Sequence, residues 1–219
     1  MIALLDIGST LIEGPPYGPA RRLAELLELD AAAARRLEPV LFETPSSSPE
    51  DLALHVARAV NVDLTRALEA CGSLWRSQLT EAFTLPGARE AIASLSEAGI
   101  TRAYLSNIWP PFYEYFRRNF ASEAAAPQFL SFRMGFSKPD KRFFKAALAV
   151  LGVPASEVVM IGDTYQNDIL PAIELGMRTV WVLHRPEKER EALVAVLNRT
   201  APAPDRTLRS IAELKPELL

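Results

Sequence analysis

The sequence predicts an α/β protein: a doubly wound, Rossmann-like parallel sheet with a small all-helical cap domain. Three observations predict it. Short apolar runs recur with turn residues close behind them, helical patterns alternate with those runs from residue 86 onward, and one block near the start reads as helical throughout. Strands apolar on both faces need helices over both sides of the sheet, which is the arrangement of a parallel α/β core.

The first run, Ile2 to Ile7, is the opening strand. From Gly14 to Thr84 no convincing strand pattern occurs, and the spacing predicts helices over Gly18 to Leu29, Asp30 to Phe42, Pro49 to Val60 and Asp63 to Phe83. Thr44-Pro45-Ser46-Ser47-Ser48-Pro49 suits a loop between two of them. A helical block inserted directly after the first strand sits over the carboxyl end of the sheet, placed to act as a lid. The expected division is therefore a core of residues 1–13 and 85–219, and a cap of residues 14–84.

Beyond the cap, a helix is expected over Pro86 to Ala98, a strand over Thr101 to Ser106 and a helix over Pro110 to Phe120. A weaker strand follows at Phe129 to Phe132, then a helix over Asp140 to Val150 and a strand over Glu157 to Gly162. A helix over Asn167 to Leu175 ends before Gly176, and the last strand runs over Thr179 to Leu183.

Composition narrows the function. The chain has 24 Lys and Arg against 27 Asp and Glu, a formal charge of −3, so nothing draws it to nucleic acid or to an anionic membrane. No apolar stretch approaches the roughly 20 residues that span a bilayer, and a cytoplasmic location is expected. The single cysteine, Cys71, has no internal disulfide partner and reads as a small buried hydrophobe. A monomer or small homo-oligomer is expected.

In an open parallel sheet, ligands bind at the carboxyl ends of the strands. The polar residues expected there are Asp6 with Ile7-Gly8-Ser9-Thr10 behind it, Ser106-Asn107, and Gly162-Asp163 with Asp168 five residues on. Lys138 lies in Gly135-Phe136-Ser137-Lys138-Pro139-Asp140, just before a helix whose start Pro139 and Asp140 signal. Three carboxylates in one crevice repel one another unless a lysine and a cation neutralise them, and all-oxygen ligation favours a hard ion such as Mg²⁺. Each residue taken alone has a plainer reading: Asp163 as a helix cap, Lys138 as a solvated charge.

Taken together, Asp6-Ile7-Gly8-Ser9-Thr10-Leu11, Ser106, Lys138 and Gly162-Asp163-Thr164-Tyr165-Gln166-Asn167-Asp168 form an ordered set over residues 1 to about 185. This set resembles the four motifs of the haloacid dehalogenase-like hydrolases, in the subfamily whose helical cap follows the first motif. The resemblance implies that Asp6 attacks phosphorus to give an aspartyl-phosphate that water then hydrolyses. It implies Mg²⁺ held by Asp6, the backbone carbonyl of Gly8 and Asp163, with Asp168 acting from nearby. By the same analogy Ser106, Asn107 and Lys138 hold the phosphoryl oxygens of a small phosphorylated molecule, and Thr10 supports the loop.

The chain departs from that pattern at position 8, where phosphatases of the family usually carry the aspartate that serves as general acid and base. Here it is Gly8, followed by Ser9 in place of the usual glycine. The carbonyl ligand survives the change; proton transfer, commonly worth about 10²–10⁴ in rate, is what it puts in question. A Mg²⁺-dependent phosphatase is the leading expectation. The alternatives are a binding or regulatory protein with impaired turnover, and a 2-haloacid dehalogenase, a group that resembles this chain at Ser106-Asn107 but has tyrosine where Gly8 stands. A phosphonate-cleaving enzyme needs a cap lysine, and residues 14–84 contain none.

Among other residues, His55 and His184 match no metal or triad spacing. Arg21, Arg22, Arg35 and Arg36 lie on cap helices, and one of them is a candidate to reach an anionic substrate when the lid closes. Of Trp75, Phe83, Phe112, Tyr113 and Phe116, most are expected to pack rather than to line a pocket.

Overall fold

A computed structural model describes all 219 residues. In chain order the elements are β1 (Ile2–Leu5), β2 (Ile12–Glu13), α1 (Pro19–Leu26), α2 (Ala31–Phe42), α3 (Pro49–Val60), α4 (Leu64–Glu81), β3 (Phe83–Thr84) and α5 (Ala88–Glu97). There follow β4 (Thr101–Ser106), α6 (Pro110–Asn119), β5 (Gln128–Leu130), the single turn α7 (Ser131–Met134) and α8 (Lys141–Leu151). The chain ends with β6 (Val158–Gly162), α9 (Leu170–Glu174), β7 (Arg178–Val182), α10 (Arg190–Leu197) and β8 (Arg206–Leu208).

Six strands form one parallel sheet in the order β5-β4-β1-β6-β7-β8. All four residues of β1 are buried, because helices cover both faces of this central strand. Apolar clusters lie on the two faces: Leu5, Tyr104, Phe116 and Ile161 belong to one, Leu4, Leu105, Phe143 and Met160 to the other. The chain first builds outward from β1 to β4 and β5, then returns to place β6 on the other flank of β1. That reversal of strand order opens a crevice beyond the carboxyl ends of β1 and β6, and the residues following those strands are Asp6 and Asp163.

The four helices α1 to α4 pack on one another around their own apolar cluster, with Leu23, Leu37, Leu41, Leu52, Val56 and Leu74 almost fully buried. Each such side chain contributes about 1.5–3 kcal/mol on burial. Local signals fix where these helices start: Asp30 accepts from the Ala33 amide, Ser48 from the Asp51 amide, and Asp63 from the amides of Thr65 and Arg66. Trp109, from the loop after β4, enters this cluster and meets Trp75 edge to face at 5.9 Å between ring centroids. No helix is long and apolar enough to cross a membrane.

The expected strands are present, with ends shifted by one or two residues, except that β4 spans Thr101 to Ser106 as expected. Two features depart from the sequence reading. The stretch from Gly14 to Thr84 is not free of strand, because β3 pairs antiparallel with β2 in a two-stranded ribbon between the first sheet strand and the helical block. A sixth sheet strand, β8, extends the edge beyond β7. Both are two or three residues long, too short to show a periodicity. The helix expected from Asn167 begins instead with a wide π turn over Tyr165–Ile169, which carries Asp168 inward.

Candidate active site

Asp6 is 5% exposed and follows β1; its amide donates to the Ile161 carbonyl of β6 at 2.9 Å, so the sheet itself fixes its backbone. Asp163 follows β6, and its carbonyl accepts the Trp181 indole N–H at 2.8 Å. Asp168, on the π turn, reaches back over Gly162. One carboxylate oxygen from each of Asp6, Asp163 and Asp168 lies within 4.8 Å of the others, and all three side chains are buried.

Lys138 neutralises part of this cluster. It is 4% exposed, and its Nζ donates to Asp6 Oδ1 at 2.6 Å, to Asp168 Oδ1 at 2.5 Å and to the Leu105 carbonyl at 3.0 Å. All three ammonium protons are used, as burial of a charge requires. Asn107 fixes the lysine's backbone: the Lys138 amide donates to Asn107 Oδ1 at 2.7 Å, and Asn107 Nδ2 donates to the Lys138 carbonyl at 2.8 Å. Burial opposes the lysine's charge, but Asp168 and Asp6 outweigh it and hold the ammonium well above the ordinary lysine range. Burial pushes the Asp163 carboxyl up, with Asp6 adding repulsion and Arg185 pulling back. Burial likewise pushes Asp168 up against the pull of Lys138.

The other expected residues fall around the same point. Thr10 Oγ1 donates to Asp6 Oδ2 at 3.4 Å. Ser106 is fully buried at the end of β4, and its hydroxyl has no hydrogen-bond partner. Gly8 and Asn107 line the cavity that Asp6, Lys138, Asp163 and Asp168 also line, a space of about 260 Å³. The remaining walls come from the loop before α1 and from Phe42, Gln78, Trp109 and Phe112. The structure thus places six of the eight expected residues on the cavity wall, with Ser106 buried at the end of β4 and Thr10 one hydrogen bond behind Asp6.

Three further residues belong here: Glu13 and Arg185, which the sequence reading passed over, and His184, which it set aside for matching no metal or triad spacing. Arg185, past the end of β7, donates to Asp163 Oδ2 at 2.6 Å and lies 3.5 Å from Glu13. His184 faces the same Glu13 at 3.3 Å. Glu13 ends β2 and lines the cavity. The four cap arginines do not line the cavity: Arg21 pairs with Glu25 on the surface, and Arg22 with Glu81 and Ser77. Of the aromatic residues considered, Phe112 lines the cavity, whereas Tyr113 and Phe116 pack in the core.

Three buried carboxylates offering only oxygen donors, with Lys138 and Arg185 as counter-charges, leave net negative charge at one point. That donor chemistry fits a hard divalent ion such as Mg²⁺.

Residues 135–214 match the HAD-hydrolase-like family model. Over 127 residues the chain is 36% identical to a phosphoserine phosphatase of Thermus thermophilus, an alignment covering 52% of this chain and 50% of that one. Over 208 residues it is 27% identical to a ribulose-1,5-bisphosphate 5-phosphatase of Halopiger xanaduensis, covering 86% of each. The alignments span half or less of the other leading curated relatives. In fold the chain is similar to CbbY from Rhodobacter sphaeroides, crystallised with phosphate, at a TM-score of 0.62 and 19% identity, covering 100% of this chain and 98% of that one.

The fold and its buried acidic cluster define an α/β protein with its candidate functional residues at the carboxyl ends of a parallel sheet. Residues 135–214 thus resemble the HAD-hydrolase-like family, and the chain as a whole shares the fold of the solved structure it is similar to.

Proposed function

We propose that this protein is a Mg²⁺-dependent phosphatase of small phosphorylated metabolites, working through a phosphoryl group carried on Asp6. The observation that carries the reading is the Asp6 carboxylate at the head of the crevice, hydrogen-bonded to Lys138 and within reach of the Asp163 and Asp168 oxygens. The names of the Thermus and Halopiger relatives support a phosphate ester as substrate. The cavity volume supports a small one. Residues 14–84 are read as the cap that closes this cavity over residues 1–13 and 85–219.

Asp6, the Gly8 carbonyl and Asp163 would hold Mg²⁺, with Asp168 beside them; bound there, the ion offsets charge shared by nucleophile and phosphoryl oxygens. Asp6 supplies the attacking oxygen, its backbone fixed by β6. Lys138 orients that carboxylate and places positive charge where the phosphoryl oxygens gather. The Ser106 hydroxyl, without a partner in the protein, is free to donate to one of those oxygens, and the Asn107 amide to another. Gly8 offers no side chain to protonate the leaving group, so good leaving groups are favoured.

The test is purified protein with Mg²⁺ and a panel of phosphate esters, beside an Asp6→Asn control. Phosphate release that Asp6→Asn abolishes supports the reading, and release that survives the substitution eliminates Asp6 as nucleophile. Binding of the esters without release identifies a binding or regulatory protein with impaired turnover. Halide release from 2-haloacids in place of phosphate release identifies a dehalogenase.

A further inference from the structure

We propose that Glu13 takes over the work of the carboxylate missing at position 8, as the general base for the water that hydrolyses the Asp6 phosphoryl intermediate. The inference rests on the phosphatase reading above. It starts from an elimination. The carboxylates lining the cavity are Asp6, Glu13, Asp163 and Asp168. Asp6 is the nucleophile, Asp163 belongs to the proposed Mg²⁺ site, and Asp168, beside that site, is bonded to Lys138. No histidine lines the cavity. Cys71 is buried in the cap's apolar cluster, and its thiol is pushed up to about 12 by that burial. Glu13 is the one carboxylate left in the cavity wall.

The local fold explains how a residue seven places after the nucleophile arrives there. Ser9 takes a left-handed conformation, φ +57°, and its amide donates to the Ile12 carbonyl at 2.6 Å, turning the chain sharply after Gly8. The β2–β3 ribbon, with Glu13 opposite Phe83, then fixes the returning strand. Ser9, next to Gly8, donates its hydroxyl to Glu13 Oε1 at 3.3 Å, so the carboxylate is tied to the loop that lacks the usual aspartate. The longer glutamate side chain, delivered from the second arm of the turn, lines the same cavity as Gly8.

Its partners set its role. Oε1 also accepts the Gly14 amide at 3.2 Å, and Oε2 faces His184 Nε2 at 3.3 Å and Arg185 Nη1 at 3.5 Å. His184 Nδ1 is buried without a partner, so Nε2 is the ring nitrogen placed to donate to Glu13. Burial pushes the Glu13 carboxyl up, but His184, Arg185 and the Gly14 amide outweigh it and hold the group below the usual range. An ionised carboxylate accepts protons; it has none to give to a leaving group. Glu13 therefore serves the second step and not the first.

The step balances as follows. Water oxygen bonds to phosphorus, the bond from phosphorus to the Asp6 oxygen breaks, and its electron pair returns to the Asp6 carboxylate. The water proton passes to Glu13 and on to solvent, leaving inorganic phosphate. In the first step the leaving oxygen departs as an anion and takes its proton from solvent.

Glu13→Gln keeps the shape of the side chain and its acceptor oxygen but removes the base. With 4-nitrophenyl phosphate and Mg²⁺ in rapid-quench kinetics, this variant is expected to release one nitrophenolate per site at a rate within about threefold of the parent. Steady turnover then falls by about 10²–10³, and acid quenching traps phosphate on Asp6. Glu13→Gln combined with Gly8→Asp is expected to recover at least tenfold. There is room for the new side chain, since a Cβ at residue 8 meets only Phe112 Cε1, at 3.5 Å. Equal loss of burst and steady rates, unchanged turnover, or no recovery in a double variant that melts like the parent would each overturn the role of Glu13. If the parent protein never forms an Asp6-dependent phosphoenzyme, the phosphatase reading itself fails, and this inference with it.

Discussion

The carboxyl carbon of Asp168 lies 2.4 Å from where a Cβ on residue 162 would stand, so Gly162 and Asp168 occupy one another's space. The π turn that follows β6 swings Asp168 back over the strand end. There its Oδ2 accepts the Thr164 amide at 2.9 Å while its Oδ1 receives Lys138. Only a residue without a side chain at 162 permits that geometry.

Gly162→Ala is therefore expected to displace Asp168 from Lys138, at about 1–3 kcal/mol in stability for the overpacked strand end. Phosphatase turnover should fall by at least tenfold. Chemical denaturation and steady-state kinetics on one preparation check both, and a variant with parental stability and kcat would show that Asp168 has another place to go.

Asp6, Lys138, Asp163 and Asp168 were legible in the sequence because each sits at a strand end or helix start, and such local patterns survive in a string of letters. Glu13, His184 and Arg185 were not. Their contacts join residues 171 positions apart, through a ribbon whose strands, Ile12–Glu13 and Phe83–Thr84, are each two residues long. No period can be read from two residues. The same shortness hid β8, where Leu208 is the only buried residue of the three. The cap arginines do not line the cavity, and Arg22 gives Nη2 to Glu81 and Ser77.

Ser106 carries a buried hydroxyl that no protein atom satisfies. Ser106→Ala should therefore leave the free protein as stable as before, or slightly more stable, because no internal hydrogen bond is lost. Binding of inorganic phosphate or vanadate should weaken by roughly 10–100-fold, the worth of one hydrogen bond to a charged group. Calorimetric titration and thermal melts separate the two effects. A large drop in stability without any change in anion affinity would make Ser106 a packing residue.

Lys138→Met removes the ammonium from between Asp6 and Asp168 while keeping most of its volume. Two carboxylates are left facing each other in a dry site, and breaking a buried pair in this way costs about 3–5 kcal/mol. Urea midpoints should drop accordingly, with most of the loss recovered in Lys138→Met combined with Asp168→Asn. If the double variant is no more stable than the single one, the lysine stabilises the fold through something other than these carboxylates.

The last expectation concerns pH and metal together. Burial pushes Asp163 up to about 6 and Asp168 up to about 7, against about 3.9 for an unfolded aspartate. Between those values the folded chain binds more protons than the unfolded chain, so the slope of stability with pH is negative. The contribution is fully present below about pH 4, falls as pH rises from there, and is gone once pH has passed about 6 for Asp163 and about 7 for Asp168. In EDTA the melting temperature should accordingly fall from pH 5 to pH 8, by about 5 °C or more. Mg²⁺ needs the same carboxylates ionised, so its effect must run the other way. The rise in melting temperature on adding Mg²⁺ should be small at pH 5 and large at pH 8, reaching the equivalent of about 2.7 kcal/mol when the ion is at a hundred times its dissociation constant. A Mg²⁺ effect that does not change with pH would mean that the ion binds away from Asp163 and Asp168.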